Sequence, residues 1–203
     1  MLLFNGRDGE YATRIGPIEK KRAALTVAEK LRDQEAPPPV DYLFAPLKHA
    51  RLDYMAQKAV EMGARSLRPV LTRRTQASRV NLERLEANAR EACEQCGVIW
   101  RPEVFAPAPL ESALAAWPED RLLVFCDEEA VTANPLDALR EAPDAPAVGL
   151  LVGPEGGFDD EERALILRLP NVLRLSLGPR ILRADTAAVA ALALIQARFG
   201  DWR

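Results

Sequence analysis

The chain has few of the residues on which disulfides, metal sites and histidine catalysis depend. Its 203 residues include three cysteines and one histidine, His49. Three cysteines cannot form a disulfide framework, and their odd number is typical of reduced thiols. Cys93 and Cys96 have the C-x-x-C spacing of metal and redox sites, but they fall within a predicted helix and no second pair accompanies them. We therefore predict no metal site.

Long hydrophobic runs are also missing. No apolar run reaches the roughly 18–20 residues that cross a membrane, and the first residues, MLLFNGRDGEY, lack the basic and apolar regions of a signal peptide. With 48% hydrophobic and 28% charged residues, the composition is that of a soluble globular protein with a sizeable core. We expect a cytoplasmic protein that does not bind membranes.

A general excess of positive charge is missing as well, since 27 Lys and Arg face 30 Asp and Glu. The distribution is uneven, however. Residues 48–90 carry ten basic and four acidic side chains, whereas residues 91–173 carry five basic and seventeen acidic ones. The basic segment favours a local surface for nucleic acid. Solvated helix faces explain it equally well.

From Val40 onward, short apolar runs alternate with helical patterns, which predicts βαβ units and a parallel sheet. The predicted strands are 40–46, 66–72, a short one near 104, 122–126, 148–152 and 172–177. The first predicted helix ends near 62, and the other predicted helices cover 82–96, 110–117, 136–140, 160–168 and 186–198. Pro69 predicts an edge or an irregularity in its strand. The prolines at 37–39 predict a linker after β-like runs in the first twenty residues, and residues 20–35 are ambiguous.

A glycine-rich segment, Gly153 to Gly157, follows the predicted central strand. Ligands of open parallel sheets bind beyond the carboxyl ends of strands, and glycine lets the backbone approach a ligand closely. No phosphate-binding lysine follows, and the Glu155 carboxylate would repel anions, so a nucleotide-phosphate enzyme is disfavoured. The segment indicates a site for a cationic or hydroxyl-bearing ligand, with a plain tight turn as the alternative. Asp159 and Glu162 predict a capping box.

A second unusual segment runs from Leu175 to Thr186, after the last predicted strand. Gly178 and Pro179 break the chain, two arginines flank apolar residues, and Asp185 is the expected N-cap carboxylate of the last helix. The Arg-x-x-Arg pair beside a carboxylate predicts a site, unless both arginines pair with the acidic middle of the chain. The helix itself is nearly all apolar and rich in alanine, which predicts burial on most of its faces.

These segments resemble one family of enzymes. The stretches LLVGPEGGFDDEE, LSLGPRILRADTA and ALIQARFGDW, with HARLDYMAQKAVEMGA and EACEQCG before them, are similar to the RsmE-type 16S ribosomal RNA methyltransferases of the SPOUT superfamily. The resemblance implies an α/β methyltransferase domain over residues 40–203, with a SPOUT-type parallel sheet and a C-terminal trefoil knot. It implies a PUA-like RNA-binding β-barrel before it, to which residues 1–36 and their linker would belong. Because the family's barrel is longer, we expect a truncated one here.

The resemblance also implies an activity, a cofactor and partners. Members use S-adenosylmethionine to methylate N3 of a uridine in 16S ribosomal RNA, and they are homodimers. The expected partners are therefore 16S rRNA or the small ribosomal subunit, and a second copy of the chain bound through the C-terminal helix. The alternative function is a non-catalytic RNA-binding or ribosome-assembly factor that retains the knot.

The resemblance assigns cofactor contacts to the two unusual segments, namely to Leu151, Gly153, Pro154, Glu155, Gly156, Leu177, Gly178, Arg180, Ile181 and Leu182. Backbone groups of the second segment should bind the adenine, and Glu155 suits the sulfonium and ammonium groups. A β-branched residue at either Gly153 or Gly178 is expected to abolish cofactor binding. Candidate RNA contacts are Arg7, Arg14, Arg73 and Arg74, of which the last two have a solvated loop as their alternative.

Methylation at N3 requires the N3 proton to leave the neutral uracil, and neither unusual segment contains histidine or cysteine. Arg180 or Arg183 could stabilise the uracil anion through paired donors, and we predict that Arg183 does so. Asp185 is predicted to take the proton, to orient the guanidinium, or merely to cap the helix. Glu155 is the competing base.

Overall fold

The computed structural model describes residues 1–48, 50–77, 79–131 and 134–202. His49 lies outside the described residues. Within them, no helix combines the length and the apolar character that crossing a membrane requires.

The N-terminal residues form a three-stranded antiparallel sheet of β1 (Leu2–Phe4), β2 (Glu10–Glu19) and β3 (Arg22–Arg32), in that order. The β-like runs at the start of the chain are thus confirmed, and the ambiguous segment 20–35 contributes a strand. Arg32 ties this sheet to the rest of the molecule, because it pairs with Glu10 and donates to the Gly97 carbonyl at 2.9 Å. The proline-rich residues that follow carry no regular structure, as predicted.

A seven-stranded parallel sheet forms the body of the protein. Its strands are β4 (Val40–Phe44), β5 (Ser66–Leu71), β6 (Glu103–Val104), β7 (Ala108–Pro109), β8 (Leu122–Cys126), β9 (Val148–Val152) and β10 (Val172–Leu175). The order is β10-β8-β9-β4-β5-β6, and β7 also pairs with β5. Each pairing in this sheet is parallel, and β9 lies between β8 and β4. The predicted parallel sheet with 148–152 at its centre is confirmed.

Pro69 lies inside β5, and the irregularity predicted for it is present. The neighbouring strand is divided into β6, which pairs with Ser66 and Leu67, and β7, which pairs with Val70 and Leu71. The Leu67 carbonyl accepts from Phe105 at 2.9 Å. Alternate residues of a strand direct their backbone groups to the same side, so Pro69 lacks an N–H on this side and the ladder is interrupted there.

Six helices cover the two faces of this sheet in the described residues: α1 (Ala50–Glu61), α2 (Leu82–Cys96), α3 (Leu110–Ala115), α4 (Pro135–Glu141), α5 (Asp160–Ile166) and α6 (Ala184–Phe199). Alternation along β4 decides which face each side chain enters. Tyr42 and Phe44 pack with α1, α2, α4 and α6, whereas Leu43 packs with α3 and α5 on the opposite face. The predicted helices are confirmed, although α3 and α5 each end two residues early and α6 begins two residues early.

A buried carboxylate is the shared counter-ion of three arginines at the amino ends of these strands. Asp41 of β4 is 1% exposed and accepts from Arg65 at 2.7 Å, from Arg121 at 3.1 Å and from Ser66 at 2.5 Å, with Arg68 at 3.7 Å. Burial alone would raise the pKa of Asp41, but the hydrogen bonds from Arg65 and Ser66 outweigh it and the pKa is lowered. The cluster therefore depends on the ionised carboxylate.

Replacing this carboxylate should destabilise the fold. In Asp41→Asn the guanidinium groups lose their shared counter-ion, so we expect the free energy of unfolding to fall by about 3–5 kcal/mol in urea titrations. The wild-type advantage should be present above the ordinary carboxyl pKa of 3.8 and vanish as the pH falls through the lower pKa of folded Asp41. The control is Asp144→Asn, whose carboxylate pairs with Arg198 but is 92% exposed, and should change stability by about 1 kcal/mol or less. Equal effects of the two variants would contradict this account.

Candidate active site

A cavity of about 260 Å³ opens at the carboxyl ends of β8, β9 and β10. Its walls come from the loop after β8, the glycine-rich segment after β9, and the segment between β10 and α6. All of its lining residues lie between Phe125 and Ala187. Parallel pairing brings these three loops to one edge of the sheet, which is where the sequence predicted a site.

Most of the predicted cofactor residues line this cavity. They are Gly153, Pro154, Glu155, Leu177, Gly178, Arg180, Ile181 and Leu182. Leu151 does not, because its side chain enters the core on the α3 and α5 side of the sheet and is fully buried there. Gly156 lies beside the cavity, where its carbonyl accepts from Arg74 at 2.6 Å.

Glycine occupies positions 153 and 178, the two singled out in the sequence, for different physical reasons. A Cβ at Gly153 would stand 2.5 Å from the Phe158 ring, so the protein's own packing already fills that space. Gly178 has a φ of 99°, in the left-handed region, and a Cβ there would meet nothing within 4 Å. Open space in front of the backbone is therefore found at Gly178. Of the two glycines, Gly178 alone is a position where a larger side chain would fill space open to a ligand.

The loop after β8 forms a wall that the sequence analysis missed. Its Asp127 is buried and accepts from Arg174 at 2.6 Å and from Arg163 at 3.1 Å. Burial would raise the pKa of Asp127, but these hydrogen bonds leave it lowered. Burial raises the pKa of the neighbouring Cys126 thiol to about 12, so this cysteine stays neutral. The signal was available, because this loop also follows a continuously apolar strand.

The start of α6 differs from its prediction. Arg183 is the N-cap residue, and Asp185 is the second residue of the helix, so the expectation of an Asp185 N-cap is wrong. The Asp185 carboxylate accepts instead from the Thr186 N–H at 2.9 Å. Arg180 and Arg183 are exposed and form no ion pair with any described residue, so their predicted alternative pairing with the acidic segment is not found.

Arg51 of α1 joins the two candidate carboxylates, and sequence reasoning missed it. Its Nε donates to Asp185 at 3.1 Å and its Nη1 donates to Glu155. The hydrogen bond from Arg51 is the main cause that lowers the pKa of Asp185. A signal existed in the HARLDY stretch of the resemblance, but nothing local in it indicates a partner more than a hundred residues away.

The predicted RNA-contact arginines have different surroundings. Arg73 pairs with Asp159 at 2.8 Å and with Glu161, and its backbone N–H donates to Glu162 at 2.7 Å. Asp159 and Glu162 form the predicted capping box of α5, so Arg73 secures the start of this helix. Arg74 secures the glycine-rich segment before it. Arg7 and Arg14 are exposed on the N-terminal sheet and its first turn.

Cysteine chemistry has little support in the residues that the structure describes. Cys93 is buried in α2, its thiol donates to the Trp100 carbonyl, and burial raises its pKa to about 11. Cys96 is exposed on the same helix. No group of three His, Cys, Asp or Glu side chains among the described residues has an arrangement that could hold a metal ion.

Comparison with known proteins assigns this arrangement to a family. The model of the RNA methyltransferase domain matches residues 34–196. The ribosomal RNA small subunit methyltransferase E of Rickettsia conorii is 29% identical over 97% of this chain and 80% of its own.

Two solved structures extend the likeness to three dimensions. The ribosomal RNA small subunit methyltransferase E of Neisseria gonorrhoeae, bound to S-adenosylmethionine, is 28% identical with a TM-score of 0.88 over 100% of this chain and 84% of that one. A putative methyltransferase of Legionella pneumophila, in complex with the same cofactor, is 31% identical with a TM-score of 0.84 over 98% and 83%. The chain belongs to the RNA methyltransferase family, and its relatives there are the ribosomal RNA small subunit methyltransferases E.

Proposed function

We propose that this chain uses S-adenosylmethionine to methylate N3 of a uridine in 16S ribosomal RNA of the small subunit. The observation that carries the proposal is the meeting of the glycine-rich segment and the segment 175–183 over one cavity, in a chain of the RNA methyltransferase family. Solved relatives of the same fold bind S-adenosylmethionine. Relatives are named as methyltransferases of small-subunit ribosomal RNA, which supports that RNA as the substrate.

The cavity's residues fit this cofactor. The Glu155 carboxylate on its wall suits positively charged sulfonium and ammonium groups, and the open space at Gly178 lets a ligand approach the backbone. Leu177, Ile181 and Leu182 offer apolar surface for a planar ring, with Ile181 91% exposed. When bound, S-adenosylmethionine supplies an electrophilic methyl group.

The chain's own residues must then remove a proton from N3 and stabilise the charge left on the base. The N3–H bond breaks, the proton passes to a carboxylate, and the electron pair remains on N3. Glu155 is the proposed acceptor because it lines the cavity, whereas Asp185 is not among the lining residues. Arg183, exposed and without an ion pair among described residues, is free to donate to the carbonyl oxygens of the uracil anion.

The finer description of the fold belongs to the same proposal. We propose a methyltransferase domain over residues 40–203 that ends in a trefoil knot. In support, the chain crosses β8 on its way from β9 to β10, with α5 on one face, and α6 then returns on the other face against β9 and β4. We propose that residues 1–36 belong to a PUA-like RNA-binding region, on which Arg7 and Arg14 are exposed.

A homodimer through α6 is also part of the proposal. One face of α6 is buried in the protein's own core, whereas its other apolar residues keep partial exposure, namely Ala187, Val189, Ala190, Ala193 and Leu194. Small side chains allow a second helix to approach closely, and covering them would remove apolar surface from water.

Light scattering at micromolar concentration is expected to give twice the mass of the chain. Ala190→Glu places a charge on the proposed interface and should yield monomers. The control Ala87→Glu places the same charge at an exposed position of α2 and should leave the dimer intact. A wild-type protein that is monomeric at this concentration would refute the dimer.

Gly178→Val should abolish binding of S-adenosylmethionine, measured by calorimetry. Valine is strained at a φ of 99° and fills the open space in front of the backbone. The matched control is Gly97→Val, at a φ of 65° and outside the cavity, which should lose similar stability and still bind the cofactor. Unchanged affinity in Gly178→Val would show that the cofactor binds elsewhere.

Methyl transfer itself is tested with labelled S-adenosylmethionine and RNA or small subunits from a strain lacking this protein, followed by nucleoside mass spectrometry. We expect label at N3 of uridine. Arg183→Lys should lower turnover by about 10²–10³ while cofactor affinity is kept, because a transition-state donor is misplaced. The exposed Arg140→Lys on α4 is the control.

Two results would contradict parts of this proposal. Cofactor and RNA binding without any methyl incorporation would favour the non-catalytic assembly factor. Near-normal methylation by Arg183→Lys, together with its loss in Glu155→Gln, would transfer the leading role to Glu155.

A further inference from the structure

One guanidinium connects two carboxylates that come from different parts of the fold. Arg51 is the second residue of α1, Glu155 lies in the glycine-rich segment after β9, and Asp185 lies in the first turn of α6. Nη1 of Arg51 donates to Glu155, and Nε donates to Asp185 at 3.1 Å. Glu155 lines the cavity, as do Ala184 and Ala187 on either side of Asp185. The ion pairs therefore stand at the mouth of the cavity.

The third nitrogen of Arg51 gives an independent reason to assign this residue to the site. Nη2 is buried and has no acceptor, and it is the one buried side-chain polar atom in this state within the described residues. A buried donor without an acceptor costs free energy, and folded proteins rarely keep one without a functional reason. The orientation of Arg51 is therefore dictated by its two carboxylates.

The charges of this cluster do not balance. Two carboxylates on one guanidinium leave a net charge of one negative unit at the cavity mouth. If the guanidinium were removed, two neighbouring carboxylates would repel each other, and one would take up a proton at a higher pH. The ionisation of Asp185 is thus coupled to Arg51, whose hydrogen bond lowers the pKa of that carboxyl.

We propose that Arg51 is a positioning residue for methyl transfer, which holds the carboxylates of Glu155 and Asp185 aligned beside the cavity. The proposal rests on the proposed function, since one of these carboxylates, Glu155, is the proposed acceptor of the N3 proton. Arg51 acts through them and does not itself touch the base. Arg51 also joins α1 to the glycine-rich segment and to the start of α6, between which the substrate must bind.

The other titratable groups around Asp185 do not obscure a test by pH. Arg183 precedes it on the same segment, and Tyr42 of β4 and Cys126 of β8 lie beneath it. Burial raises the pKa of Tyr42 well above its usual value and that of Cys126 to about 12. On the α4 side, the ion pair of Arg198 with Asp144 belongs to the far end of α6. The phenol and the thiol therefore stay neutral near and below neutral pH.

The experiment compares pH profiles of kcat for full-length wild type, Arg51→Gln and Arg51→Lys, with cofactor affinity and thermal unfolding measured in parallel. In Arg51→Gln we expect kcat to fall at least about tenfold, and the acid limb to move up by about one pH unit or more. Arg51→Lys keeps the charge, so its acid limb should return toward the wild-type position, with a kcat still below wild type. Arg84→Gln is the matched control. Arg84 of α2 pairs with Asp53 of α1, the helix that carries Arg51, and this pair lies outside the cavity. The control should change neither kcat nor the position of the acid limb.

Each outcome decides the proposal. An acid limb that stays in place while kcat falls, or an unchanged kcat, would overturn it. If Arg51→Gln does not fold, Arg51→Lys decides: a lower kcat with unchanged cofactor affinity supports the proposal, and an unchanged kcat overturns it. If wild type transfers no methyl group, the proposed function fails. The Asp185 pKa measured by carboxyl NMR in wild type and Arg51→Gln then still tells whether Arg51 sets the ionisation: a higher pKa in the variant supports this role, and equal values overturn it.

Discussion

Parallel pairing of β8, β9 and β10 is the constraint on which the rest of the molecule depends. Strands that run in one direction must be joined by crossings over the sheet, so the loops that leave their carboxyl ends collect at one edge. Here this brings together three loops that are separated by some twenty to thirty residues along the chain. The cavity is thus a product of topology, and two of its walls are attached to the buried strands β8 and β9, which cannot shift without disturbing the core.

The uneven charge of the sequence has a structural use that neither of its two sequence interpretations included. Arginines of the basic segment 48–90 pair with carboxylates of later segments: Arg51 with Glu155 and Asp185, and Arg73 with Asp159 and Glu161. Two arginines of the basic segment therefore hold the segments at the cavity edge in place. Asp127, which secures the remaining wall, uses the same kind of pairing with Arg163 and Arg174.

Sequence reasoning succeeds where a local pattern and the packing agree. The run VGLLV is a strand buried on both faces, and Gly97 ends α2 in the left-handed conformation that its position predicts. It fails where distant residues decide. The strand β3 mixes helical and β periodicity and is exposed along nearly its whole length, so no burial pattern marks it. Leu151 stands within a motif of cofactor residues, but alternation along β9 turns its side chain to the other face. The contacts of Arg51 span 104 and 134 residues, which no local pattern encodes.

The two principal walls of the cavity differ in how firmly they are held. The glycine-rich segment is packed against Phe158 and fastened by Arg74, and the capping box behind it is bonded to Arg73. Moving this wall requires the first turn of α5 to unwind. The opposite wall, at 178–183, has open space at Gly178 and arginines without ion pairs in the described part of the chain. Local opening follows the least costly route, so a displacement of this second wall breaks fewer of the described contacts than a displacement of the first.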